Sequence, residues 1–156
     1  MVVLDTSFLV GYHNERDAHH AAAARALVQM QAGVWGPALL LEYVFLEVVT
    51  VIAARRGLEQ AVRAGRTLLA ARELTFVPCS ELFLDAWMLF REQRETTLSL
   101  ADAAIVVAAR REPPGRILTF DTDFQAVQGV TVLPGEDSLG YVPSATRPRS
   151  RRRHSR

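Results

Sequence analysis

Apolar positions along the chain fall into two kinds of pattern. Short runs that are β-branched or aromatic and bounded by turn residues, "VVLD" (2–5), "VWGPALL" (34–40), "TFVP" (75–78), "RILTF" (116–120) and "VTVL" (130–133), predict strands. Between them lie longer segments with helical spacing, at 17–31, 42–56, 58–73, 80–93 and 100–112. Gly33 and Gly57 stand where helix ends expect glycine. Strands alternating with helices imply crossover connections, and strands that read as continuous apolar runs are covered on both faces. The expected fold is therefore a three-layer α/β/α sandwich with a mostly parallel central sheet of four or five strands. In such folds ligands sit outside the carboxyl ends of the strands, so functional acids at strand ends should converge.

Composition narrows the class. At 156 residues, about half of them hydrophobic, the chain suits one domain. The net charge of +1 hides an asymmetry, because six of the 18 basic residues lie in the last ten positions and the remainder carries 12 arginines against 17 acids, a net of −5. The chain contains no lysine. We expect a domain over residues 1–140 and a flexible basic tail over 141–156, since "SATRPRSRRRHSR" has no apolar periodicity with which to offset the entropy of ordering. The tail reads either as a phosphate-attracting segment or as a dispensable extension. Cys79 is the only cysteine, which excludes an intramolecular disulfide and a cysteine-based zinc site and suits a reducing cytoplasm. The N-terminus lacks a basic n-region, and no run approaches the ~20 apolar residues of a membrane span, so a soluble protein with no membrane partner is expected.

Candidate chemistry lies in the acids. Asp5 ends the first strand, where it is either functional or a cap or turn former, and Thr6 or Ser7 would cap a short helix after it. Asp102 falls near the third helical position after Ser99, where orphan amides favour any carboxylate, but "AAIVVAA" behind it must be buried, so this acid points toward other elements. Asp121 and Asp123 both follow a strand, and either is a candidate cap for "FQAV". Glu42 and Glu47 are about 140° apart on one helix and do not share a face. Glu42 sits at a strand-to-helix junction, where a cap role suffices; Glu47 is embedded in apolar sequence, where an unpaired carboxylate is costly. Convergent carboxylates repel one another unless a cation is held between them. Hard oxygen donors suit Mg²⁺ or Mn²⁺, and such a site chiefly serves phosphate chemistry.

In order along the chain, "VVLDTSFLV", a glutamate before "VVTVIAARRG", "LSLADAAIVVAARR" and "ILTFDTDF" resemble PIN-domain nucleases, specifically the VapC-like ribonuclease toxins of prokaryotic toxin–antitoxin pairs. The resemblance spans residues 1 to about 135. It places the family's acids on Asp5, Glu47, Asp102 and Asp121, with Thr6 and Ser7 in the adjoining hydroxyl positions, Glu42 and Gly57 flanking Glu47, and Asp123 and Glu95 at more variable positions. It implies a PIN-like fold and Mg²⁺- or Mn²⁺-dependent endonucleolytic cleavage of RNA, with one or two ions held by the four acids. It also implies a cognate antitoxin that blocks the acidic cleft and a homodimer, both drawing on the apolar surface of helix 80–94, with Leu82, Phe83, Ala86, Trp87, Leu89 and Phe90. His19 and His20 read as an exposed first turn.

Phosphate contacts must come from local cations, and the candidates are Arg16, Arg55, Arg56, Arg110 and Arg111, the last four also explained by the helix dipole. A phosphoacceptor receiver is excluded by the missing lysine and a P-loop NTPase by the missing "GK[ST]"; the "DTD" spacing of a dehalogenase-like phosphatase follows the wrong strand. A catalytically silent PIN-like binding module and a housekeeping PIN nuclease in RNA processing stand as alternatives.

Overall fold

The computed structural model describes residues 1–94 and 96–135; Glu95 and the basic tail expected from residue 141 lie outside the described residues. Five parallel strands form one sheet: β1 (Val2–Leu4), β2 (Ala38–Leu41), β3 (Leu74–Val77), β4 (Arg116–Leu118) and β5 (Thr131–Leu133), in the order β3-β2-β1-β4-β5. The helices are α1 (Thr6–His13), α2 (His20–Gln31), α3 (Glu42–Arg56), α4 (Leu58–Ala70), α5 (Phe83–Glu92) and α6 (Leu100–Arg110), with a 3-10 turn at Thr122–Ala126. In the three central strands β1, β2 and β4, nearly every residue is buried, as expected of strands packed on both faces. The edge strand β3 is half exposed and shows Phe76 to solvent.

Right-handed crossovers put α1–α4 on one face and α5 and α6 on the other. The packing agrees, with α1 and α4 both against α3, and α6 against α5, β1 and β4. This is the expected three-layer sandwich. The chain runs outward from β1 to β3 and then returns to the other side of β1 at β4, so the strand order reverses between β1 and β4. At such a switch point two connections leave in opposite directions and open a crevice at the carboxyl ends of the strands.

Several boundaries differ from the sequence expectation for local physical reasons. The strand expected at 34–40 begins only at Ala38, because Gly36 adopts φ +76 and Pro37 lacks an N–H for the ladder; Pro37 instead accepts from the Val2 amide through its carbonyl, at 2.9 Å. The helix expected from residue 17 begins at His20, since the Asp17 carboxylate draws the His19 amide into a turn at 2.9 Å. The helix expected over 80–93 is reduced to Phe83–Glu92. Of its apolar face, Leu82 and Ala86 are buried, whereas Phe83, Leu84, Trp87 and Met88 are exposed. Gly57 joins α3 to α4 at φ +89, with no atom near the place a Cβ would take, so backbone conformation alone calls for glycine there.

Candidate active site

The crevice at the switch point is built from strand ends and helix starts. Asp5 directly follows β1 and caps α1, one of the two roles expected for it, while Thr6 and Ser7, the other cap candidates, lie inside the helix. It is 2 % exposed, and its Oδ2 accepts three hydrogen bonds: from the Ser7 amide at 3.1 Å, the Ser7 hydroxyl at 2.6 Å and the Thr119 hydroxyl at 2.7 Å. Each hydroxyl has one proton and gives it to Asp5, so each accepts in turn, Ser7 from the Phe120 amide at 2.9 Å and Thr119 from the Asp121 amide at 2.8 Å. With both protons so spent, the 3.1 Å approach of the two hydroxyls is a contact rather than a further hydrogen bond. The network ties the end of β1 to the end of β4.

Burial pushes the Asp5 carboxyl above the usual carboxylate range, the hydrogen bonds from Ser7 and Thr119 pull it back in part, and the nearby Asp102 charge adds to the rise.

Glu47 lies on the second turn of α3, partly buried, and accepts from the Thr6 hydroxyl at 2.7 Å. Asp102 is the third residue of α6 in a reciprocal capping box, its carboxylate accepting from the Ser99 amide at 2.8 Å and its amide donating to the Ser99 hydroxyl at 3.1 Å. Asp121 caps the 3-10 turn through the Asp123 amide at 2.9 Å. These four acids line one cavity of about 300 Å³, together with Thr6, Ser7, Ser99, Val10, Val51 and Arg55. Three of them are also caps, so the structural and functional readings of those residues are compatible.

Other candidates are placed elsewhere. Glu42 turns away from the cavity, as the helical spacing requires, and accepts from the Cys79 amide at 3.1 Å, fastening the β3–α5 loop. Asp123 accepts from the Thr97 hydroxyl at 2.6 Å and is not part of the cavity wall. Of the two cap candidates for the 3-10 turn, Asp121 takes the role and Asp123 does not. Arg110 donates to the Gln128 carbonyl at 2.6 Å, and Arg111 to the Glu81 carbonyl and Asp85, each at 3.1 Å. Both lie roughly 12 Å or more along α6 from Asp102, toward the amino ends of the strands, and neither lines the acidic cavity. Arg16 lines a neighbouring basic pocket with Arg55 and Arg56. His19 is exposed, as expected, and stacks on Phe120 with ring centroids 4.6 Å apart, while His20 is partly buried and contacts the Gly11 carbonyl at 3.1 Å. Sequence reasoning missed Thr119; its signal is a hydroxyl at the end of a buried strand, which must find a partner.

The donor set fits a hard divalent cation. For each of the four acids, the side-chain hydrogen bonds fall on a single oxygen: Oδ2 of Asp5, Oε2 of Glu47, Oδ2 of Asp102 and Oδ1 of Asp121. The second oxygen of each accepts no hydrogen bond among the described residues, and carboxylate oxygens are the ligands such ions prefer. Among the described residues the side chains are not already gathered into a metal-holding group.

A sheet with its switch point at β1 and β4, and carboxylates rising from the ends of both strands and from the facing helices, defines a class of protein. The PIN domain family model matches residues 2–130, and the chain belongs to that family. Among solved structures, it is similar to VapC20 of Mycobacterium tuberculosis, a sarcin-ricin loop cleaving toxin, with 26% identity over 81% of this chain and 94% of that one and a TM-score of 0.68. A toxin–antitoxin complex from Klebsiella pneumoniae shares the fold at 21% identity, 84% and 96% coverage and a TM-score of 0.57. So does VapBC2 of Rickettsia felis, bound to a DNA fragment from its promoter, at 14% identity, 85% and 97% coverage and a TM-score of 0.61. No curated protein matches the chain. The resemblance carried by the four motifs is thus borne out at the level of family and fold.

Proposed function

We propose that this protein is a metal-dependent endoribonuclease that hydrolyses RNA phosphodiester bonds and acts as the toxin of a toxin–antitoxin pair. The observation that carries the reading is one cavity at the switch point, lined by Asp5, Glu47, Asp102 and Asp121, four carboxylates with no arginine in ion-pair contact among the described residues. Membership of the PIN family supports a divalent metal requirement. These four side chains would hold one or two Mg²⁺ or Mn²⁺ ions through their uncommitted oxygens. Such an ion supplies activation of water and neutralisation of the charge that develops on phosphorus. Thr119 and Ser7 orient Asp5, Thr6 orients Glu47 and Ser99 orients Asp102, which fixes the direction of each carboxylate before a ligand arrives. Carboxylates lining one cavity repel one another less when a cation is held between them, which supports the same reading.

We assign the nuclease domain to residues 1–140; the basic sequence from residue 141 lies outside the described residues. The toxin–antitoxin character of two of the structural neighbours supports an antitoxin as protein partner, and the exposed apolar face of α5, with Phe83, Leu84, Trp87 and Met88, supports a homodimer. No helix among the described residues is long and apolar enough to cross a membrane.

Incubating the purified protein with total cellular RNA in Mg²⁺ and in EDTA, beside Asp5→Ala, tests the activity. Fragments should form only with wild type and metal. Metal-independent cleavage, or an unaffected variant, contradicts the mechanism.

A further inference from the structure

Beside the acidic cavity lies a second pocket of about 430 Å³ whose wall includes Arg16, Arg55, Arg56, His13 and Asn14. The two are continuous, since Val10, Val51 and Arg55 line both. Glu47, Val51 and Arg55 follow one another at intervals of four residues on α3, so one helix face passes from the acid to the cation over roughly 12 Å. The three arginines are not equivalent. Arg56 is committed to the fold, donating to the His13 carbonyl at 3.1 Å and to the Asn14 side chain at 3.0 Å, which pins the end of α1 to the end of α3. The guanidinium groups of Arg16 and Arg55 are exposed, with no hydrogen-bond or ion-pair partner among the described residues. The His13 Nε2 in the same wall is buried and also lacks a partner.

The geometry points to this pocket as a phosphate subsite for single-stranded RNA, in which Arg16 and Arg55 hold a backbone phosphate flanking the bond presented to the acids. This assignment rests on the endoribonuclease reading and adds where the strand runs. Charge balance favours such a place, because the chain before its last ten residues carries a net of −5 and the acidic cavity repels a polyanion. Two free, planar guanidinium groups match phosphate oxygens, and a pocket sharing its wall with the acids is reached by the same strand. Phosphate contacts of this kind position the strand without reading its sequence.

The test measures binding of a short fluorescein-labelled single-stranded RNA by anisotropy in EDTA across a salt series, and cleavage of the same RNA in Mg²⁺. Both assays compare wild type, Arg16→Ala/Arg55→Ala and, as a control, Arg66→Ala, an exposed arginine on α4 with no ion-pair partner among the described residues. The double variant should bind about tenfold more weakly, with a salt slope smaller by ~1.4, two contacts at about 0.7 each. Its KM should rise more than its kcat falls, and the Arg66 variant should bind like wild type. If wild type cleaves RNA and the double variant keeps its affinity and salt slope, the subsite assignment is overturned and the nuclease reading stands. If wild type neither binds nor cleaves RNA, both fall. Displacement of the RNA by poly-glutamate at equal charge concentration would overturn the choice of nucleic acid as ligand.

Discussion

Helix α6 carries charge at both ends, and the two ends are finished differently. At its C-terminus Arg110 and Arg111 each have partners within the protein, the Gln128 and Glu81 carbonyls and Asp85. At its N-terminus Asp102 shares a cavity with three other acids, and among the described residues only one oxygen of each carboxylate is hydrogen-bonded. Charges completed by the fold fasten it. Charges left incomplete, crowded and partly buried are costly unless something outside the chain completes them, and that asymmetry separates fastening from chemistry more sharply than residue type does.

The largest effect should come from the incomplete end. Asp5→Asn and Asp102→Asn should each lower RNA cleavage by at least about a hundredfold, the upper end of what losing even a supporting partner costs a metal site; normal activity in either would place the chemistry elsewhere. Glu47 and Glu42, on the same helix, sharpen the contrast. Glu47→Gln should abolish most turnover in an RNA cleavage assay while leaving the unfolding midpoint near wild type. Glu42→Ala should keep turnover and lose about 1.5–3 kcal/mol in denaturant unfolding, since the Cys79 amide loses a charged acceptor.

Next comes the support beneath Asp5. Thr119→Val removes one donor to Asp5 and the acceptor for the Asp121 amide, and activity should fall by about 10–100-fold. The stability of the metal-free protein should also follow Asp5. Its folded carboxyl titrates above its unfolded one, so its contribution is fully present below the usual carboxylate range and is lost as pH rises through the raised value. A thermal melt series from about pH 4 to about pH 8 in EDTA should therefore show this loss in wild type and not in Asp5→Asn, and adding Mg²⁺ at the upper end should restore wild type alone. His13, whose titration is lowered by burial, works in the other direction: its contribution is present above the ordinary histidine value and lost as pH falls through the lowered one. The smallest effect belongs to the completed end. Arg111→Ala should cost no more than about 1 kcal/mol, because its ion pair with Asp85 is exposed, and should leave RNA cleavage unchanged.

Much of this was legible in the order of residues. Apolar runs of strand length alternating with helical periods predict the layered parallel fold, and an acid following each of two such runs predicts a site at the strand ends. The 140° between Glu42 and Glu47 already separates them, and each takes the side the spacing requires. Illegible were the interactions that bridge distant segments. Thr119 meets Asp5 across 114 positions, and Thr97 rather than a helix amide holds Asp123. Arg110 and Arg111 look like phosphate ligands along the chain, but which carbonyls they reach depends on where α6 ends relative to β5 and α5.

The chain's periodicity and charge pattern decide the elements, the parallel sheet and the supply of carboxylates, because these follow from backbone geometry and from the cost of burying polar groups near in sequence. Which oxygen of each carboxylate remains free, which arginines stay unpaired and which pocket they share were settled only by the packed fold. Those outcomes depend on distances between segments far apart along the chain, which local pattern does not encode.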